Sequence, residues 1–349
     1  MKPRHGAIAL ALLRALLASP AGAQASALPA RASLRGLSVA PDGAIWASGT
    51  SGTVLRSPDG GRSWVARSIP DAAALDLRDV EAVSATTAYA MVAGADTARI
   101  YRTRDGGGHW TRQYDDTRKG VFLDGIAFWD GSRGIAVGDP MDGRFLILRT
   151  EDGGAHWTEQ PADAAPAALA GEAAFAASGT AVVVGPAGRA WIGTGGGAAA
   201  RVFRSSDYGR TWAASDTPIP ASASAGIFSL AFRDTLSGIA VGGDYAHPRA
   251  ARPNVAVTAD GGRTWALGDS AEATAYLSAV AYLPGGRGVV AVGAEGTFES
   301  ADGGRTWTRS DTASYNAVAA LGRADSVVAV GEGGRRAAWT VASLSRLRE

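Results

Sequence analysis

Three observations predict an all-β chain folded as a seven-bladed β-propeller. One nine-residue segment recurs six times: "RSPDGGRSW" (56–64), "RTRDGGGHW" (102–110), "RTEDGGAHW" (149–157), "RSSDYGRTW" (204–212), "VTADGGRTW" (257–265) and "ESADGGRTW" (299–307). The spacings between its aspartates, 46, 47, 55, 53 and 42 residues, are those of propeller blades. Seven short apolar stretches ending in glycine run alongside it: "AIWASG" (44–49), "AYAMVAG" (88–94), "GIAVG" (134–138), "AWIGTG" (190–195), "GIAVG" (238–242), "GVVAVG" (288–293) and "SVVAVG" (326–331). Finally, 47 glycines are spread through the chain, as many tight turns between short strands require.

Each letter of the repeat has a structural use. The aspartates Asp59, Asp105, Asp152, Asp207, Asp260 and Asp302 can accept hydrogen bonds from turn amides. The glycines can take positive φ between two strands. The tryptophans Trp64, Trp110, Trp157, Trp212, Trp265 and Trp307 are expected to bury their rings at the next blade. The pattern S/T-x-D-x-G-x-x-W resembles the Asp-box (BNR repeat) of sialidase-type and related propellers. In those families the box lies on rim turns away from the ligand face, so its aspartates are expected to be structural.

Seven glycine-ended strands against six boxes give seven blades, the last without a box, at about 33–70, 79–115, 122–160, 171–217, 226–270, 276–311 and 314–345. Each blade is expected to run inner strand, glycine-ended second strand, third strand into the box, then an outer strand. The last blade reads short of an outer strand, and residues near 27–33 are expected to supply it.

The first 25 residues read as a secretory signal. Lys2, Arg4 and His5 precede an apolar run from Ile8 to Leu17, and "AGA" and "AQA" offer small-residue cleavage sites. The run is shorter than the roughly 20 residues a spanning helix needs. Residues 26–349 are therefore expected to form an exported propeller, periplasmic or extracellular, with no membrane insertion after cleavage. Loss of Lys2, Arg4 and Arg14 leaves 31 basic residues against 33 acidic, a balance that gives no case for nucleic acid. There is no cysteine, hence no disulfide, thiolate site or lipid-bearing thiol. A monomer is expected.

If the boxes mark one face, binding belongs on the other. There the loops joining second to third strands are longest in blade five, "GGDYAHPRAARPNVAV" (242–257), and next in blade three, "GDPMDGRF" (138–145). These loops and those between blades nominate Arg78, Asp79, Asp124, Asp139, Arg144, Glu172, Asp244, Tyr245 and His247 as binding residues. The same charges also suit salt bridges and turn caps that hold the blades in register.

Enzyme chemistry finds less support. Asp79, Asp124, Asp139, Asp142, Glu172 and Asp244 include enough carboxylates for a glycosidase pair, but any propeller face offers several. His109 and His156 fill the same slot in their boxes, which leaves His247 alone for acid–base work and no histidine cluster for a metal. "GTGGGA" (193–198) fits a dinucleotide fingerprint by letters alone, because a box strand follows it, not a helix. No cofactor is expected.

Beyond the box, the mature chain resembles the photosystem II stability/assembly factor family and its wider bacterial relatives. The resemblance rests on the blade count, the exported context, the run of boxes and segments such as "SLRGLSVAPDGAIWASGTSGTVLRS" (33–57), "GIAFWDGSRGIAVGDP" (125–140) and "FSLAFRDTLSGIAVGGD" (228–244). It implies a seven-bladed propeller that binds a protein or peptide without catalysis during assembly of a membrane complex. It also implies an arginine patch, for which Arg35, Arg78, Arg118 and Arg144 are the candidates here. The alternatives are a sialidase-like glycoside hydrolase and a lectin-like glycan binder using Tyr245 or Trp191 as a stacking platform.

Overall fold

The computed structural model describes residues 32–269, 272–322 and 325–341. Seven antiparallel sheets follow one another along the chain, six of four strands and a last one of three among the described residues. In each, strand order in space equals strand order in sequence. Blade one shows the plan: Leu34–Val39 lies innermost, followed outward by Ile45–Gly49, Thr53–Ser57 and Val65–Ser68. Second strands such as Ile45–Gly49 and Val289–Gly293 are buried along their whole length, which is why they read as unbroken apolar runs.

The box is a closed hydrogen-bonded turn. In blade one, Asp59 Oδ1 accepts from Ser57 Oγ (2.9 Å) and the Ser63 amide (2.9 Å), while Oδ2 accepts from Ser63 Oγ (2.6 Å). Ser57 Oγ in turn accepts from the Gly61 amide at 2.8 Å. His109 and His156 take the place of that second hydroxyl, each placing Nδ1 2.6 Å from its aspartate. These bonds all favour the carboxylate. Ser63 is the main cause of the fall of Asp59 to about 2, and the His109 and His156 amides and rings lower Asp105 and Asp152 to about 2.

The residue after the box aspartate ties blade to blade. Its amide donates to the first turn of its own blade, as from Gly153 to Ser132 (2.7 Å), Gly261 to Leu236 (2.8 Å) and Gly303 to Arg287 (2.9 Å). In blades two to five its carbonyl is taken by the preceding blade. Tyr89 Oη reaches Gly153 O at 2.7 Å, Arg149 Nε reaches Tyr208 O at 2.9 Å and Trp191 Nε1 reaches Gly261 O at 2.9 Å. The following glycine presses against that same preceding blade: a Cβ on Gly304 (φ +87°) would stand 2.3 Å from Ile239 Cδ1.

The box tryptophans correct the expectation about their direction. Trp110 packs edge-on to Trp46 of blade one, and Trp307 joins Ile239, Val241 and Val255 of blade five. Each ring packs on the preceding blade, not the next. Trp64 closes the circle by packing with Val328 and Val330 of blade seven.

Blade four begins later than expected. Its inner strand is Val182–Gly185, and residues 171–181 run to it without forming a strand. The expected closure of blade seven falls partly on residues 27–31, outside the described residues. Ala32 and Ser33 are bound to loop residues: Ala32 O accepts from the Gly334 amide (2.7 Å), and Ser33 pairs with Thr50. The long blade-three segment is a hairpin, not a loose loop. Gly134–Met141 and Arg144–Thr150 join through Asp142 and Gly143, both at positive φ.

Inner strands are linked by side chains that meet the next blade's amides. Ser38 Oγ accepts from the Ala82 amide (3.0 Å), Asp79 Oδ2 from Ile126 (2.8 Å) and Ser229 Oγ from Val280 (3.0 Å). Asp79 is 4% exposed, and its carboxylate fills the space a Cβ on Gly179 would need. Burial pushes Asp79 up to about 7. Burial and the Asp79 charge push Glu81 to about 8, although Glu81 is only half-buried by area.

Two predictions follow from these contacts. Trp307→Ala should cost about 3–5 kcal/mol and Tyr89→Phe about 1 kcal/mol in urea unfolding, because the first empties a buried ring site and the second removes one interblade bond. Stability should peak at about pH 4. Above that, Asp79 and Glu81, whose folded values are raised, lose their contribution as pH climbs through 7 to 8. Below it, the box aspartates lose theirs as pH falls toward 2. Urea midpoints between pH 3 and 9 check the curve, and Asp79→Asn should flatten its alkaline limb.

Candidate functional site

On the face opposite the boxes, the channel opens into a cavity of about 710 Å³ with walls from all seven blades. A repeated backbone device builds it. Inner strands slip register near their first residues, between Leu34 and Gly36, Leu77 and Asp79, Ile227 and Ser229, and Leu277 and Ala279. The bulged residues are Arg35, Arg78, Phe228 and Ser278, and each lines the cavity. Blade three has the same slip between Leu123 and Gly125, which places Asp124 in the wall.

The cavity has an aromatic side and a charged side. Phe175 stacks on Phe228 with centroids 4.2 Å apart and planes at 14°. Tyr245 stands edge-on to both at 6.1 Å, and Tyr276 edge-on to Phe228 at 4.8 Å. Tyr245 is 54% exposed, which makes it the accessible part of this wall. Burial holds the Tyr276 phenol well above its ordinary value despite the pull of Arg35 and Arg78, so it is a neutral donor. Arg78 bonds Asp76 (2.5 Å) and the Ala176 carbonyl (3.2 Å). Arg35 makes no hydrogen bond or ion pair among the described residues, and its Nε is buried.

Of the residues the sequence nominated, Arg78, Asp124, Asp139 and Tyr245 line the cavity. The others serve the scaffold. Asp79 is the interblade cap described above. Glu172 is enclosed and meets Arg201, Thr194 Oγ1 (2.6 Å) and the Leu169 amide (2.8 Å). Asp244 is 4% exposed and organises the blade-five loop through Ser224 Oγ (2.7 Å), His247 and Arg252. Its burial opposes ionisation, but the bonds from Ser224, His247 and the Ala246 amide hold it below its ordinary value.

His247 is largely exposed on that loop and pairs only with Asp244. Arg144 donates to the Ala165 carbonyl, and Arg118 pairs with Asp116 and Glu159 on the outer part of the wheel. The four-arginine patch therefore reduces to Arg35 and Arg78. Trp191 is no platform: it is 1% exposed and stacked on Phe232 at 3.7 Å.

Sequence reasoning missed Phe122, Phe175, Phe228, Tyr276 and Tyr315 in the cavity. Most sit at or just before the first residues of inner strands, where an apolar letter is what a core strand would carry anyway. The signal available was the repeated offset from each glycine-ended strand, but a bulge leaves no letter of its own.

No family model matches the chain, and no curated protein matches it. Solved structures do. YCF48 bound to a D1 peptide superposes with a TM-score of 0.61 at 17% identity, covering 90% of this chain and 95% of that one. YCF48 from Cyanidioschyzon merolae gives 0.65 at 18%, covering 90% and 97%. A Niastella koreensis GH74 enzyme gives 0.47 at 12% over 88% of this chain and 65% of that one. The chain thus has the seven-bladed propeller fold of the YCF48 structures, over nearly the whole of both chains.

Proposed function

We propose that this protein binds an extended protein or peptide segment at the box-free mouth of its channel, without covalent chemistry, as an exported assembly factor for a membrane or envelope complex. One observation carries the reading: bulges in five of the seven blades turn Arg35, Arg78, Asp124, Phe228 and Ser278 into a single cavity that aromatic rings also line. Arg35 spends its charge on no internal partner. Tyr245 offers an exposed ring backed by a stacked aromatic pair. An aromatic anchor beside an uncommitted guanidinium is the composition of peptide-binding hot spots. That a propeller of the same fold was solved with a D1 peptide supports the class of ligand. The export signal lies in residues 1–25, outside the described residues.

A second reading has one observation in its favour. Asp124 and Asp139 stand together beside aromatic rings, as a glycosidase requires. Burial pushes both up, however, and neither is held low as an ionised nucleophile would be.

The test uses residues 26–349 on an array of overlapping peptides from exported segments of membrane proteins, beside an Arg35→Ala/Tyr245→Ala variant. We expect defined peptides to bind, with at least about tenfold loss in the variant and an unchanged urea midpoint. Equal retention by both proteins, or by neither, would refute the site. A panel of 4-nitrophenyl glycosides should show no turnover. Hydrolysis that disappears in Asp139→Asn would instead establish the glycosidase.

A further inference from the structure

The cavity wall contains a carboxyl that the fold leaves poorly partnered. Asp124 is 1% exposed, and neither of its oxygens has a donor in full hydrogen-bond geometry, the Ala176 amide giving only a partial contact. Leaving such a group poorly paired away from water costs free energy that the scaffold does not recover. Asp139, on the second strand of the same blade, stands beside it and is half-buried at the cavity surface. One Asp139 oxygen accepts from the Ala174 amide at 3.2 Å; the other makes no hydrogen bond among the described residues.

Other groups near the pair do not satisfy it. Arg78, from blade two, is already held by Asp76 and the Ala176 carbonyl. The Ala176 amide approaches from blade four and lowers Asp124 only in part. Arg35, Tyr276 and Glu332 face the same cavity from blades one, six and seven, and none bonds to the pair. The adjoining wall is the Phe175–Phe228–Tyr245 cluster, which begins next to Ala174 and whose ring faces suit a cation or the apolar stem that carries one.

We propose that Asp139, backed by Asp124, is the seat for a lysine or arginine side chain of the bound polypeptide. The adjoining chain would then lie against Phe175, Phe228 and Tyr245. This inference rests on the peptide-binding reading and adds to it a required positive residue. The cation supplies the charge-assisted hydrogen bonds the pair lacks. In the free protein the pair lowers that cost by holding protons: burial and mutual repulsion raise Asp124, and burial raises Asp139 to about 6. An incoming cation must displace that proton, so binding should strengthen as pH rises through 6.

The test compares two probes, N-acetyl-phenylalanyl-lysinamide and its uncharged counterpart N-acetyl-phenylalanyl-glutaminamide. Each is titrated into residues 26–349 at pH 5 and pH 8, followed by calorimetry and by the ¹³C shifts of aspartate carboxyls. We expect the lysine probe to bind about tenfold more tightly than the glutamine probe at pH 8, and the preference to fade at pH 5. Asp139→Asn should erase the preference; it is the safer variant because Asp139, unlike Asp124, reaches the surface. Equal binding of the two probes at pH 8, or a preference that survives in Asp139→Asn, overturns the cation seat and leaves the peptide cavity standing. Binding of neither probe overturns both. Calcium chloride alone shifting the Asp124 and Asp139 carboxyls would assign the pair to a metal and overturn the proposal.

Discussion

The wheel depends on how one residue, the one after the box aspartate, is held from two sides in blades two to five. Its amide belongs to its own blade and its carbonyl to the blade before, as Gly153 shows with Ser132 on one side and Tyr89 on the other. A buried residue whose amide and carbonyl are both satisfied cannot slide without losing both bonds. Blade four shows how strict the requirement is. There Tyr208 occupies the slot at φ 63°, a conformation costly for a tyrosine. Arg149 takes its carbonyl, and Arg133 lies over its ring at 4.6 Å. Around this clasp the tryptophans pack backwards onto the preceding blade, and Trp64 does so onto blade seven to close the circle.

The site follows from the same crowding at the hub. Inner strands approach closely enough that glycines there touch their neighbours, as Gly36 does at the Asp79 backbone. The inner strands of blades one, two, three, five and six meet the crowding with a bulge near their first residues, and a bulge re-aims one side chain. Four of those side chains are Arg35, Arg78, Phe228 and Ser278. The cavity is therefore a consequence of ring geometry, and its chemistry is set by which residue type occupies the bulge.

Charge inside the hub is arranged by level. Below the bulges, Asp79 and Glu81 are desolvated and tied to amides and hydroxyls of adjoining blades. At the mouth, Asp124 and Asp139 are raised but lack equivalent ties, and the arginines facing them come from other blades. The first arrangement stiffens the channel. The second keeps polar capacity in reserve for a ligand.

Much of this was legible in the sequence. The boxes and the glycine-ended strands specify turns and buried strands through local physics, namely positive φ, short side-chain acceptors and apolar runs. Seven such units leave a propeller as the arrangement that hides their edges. The cavity was legible only in part. Arg78, Asp124, Asp139 and Tyr245 were found because loop length and charge show in the letters. Asp79, Glu172 and Asp244 look the same as letters, yet tertiary packing turned them inward against amides and arginines. The direction of the tryptophans, the aromatic wall and the poorly partnered carboxyl of Asp124 were decided by contacts between blades. Such contacts join residues tens of positions apart, and no local pattern records them.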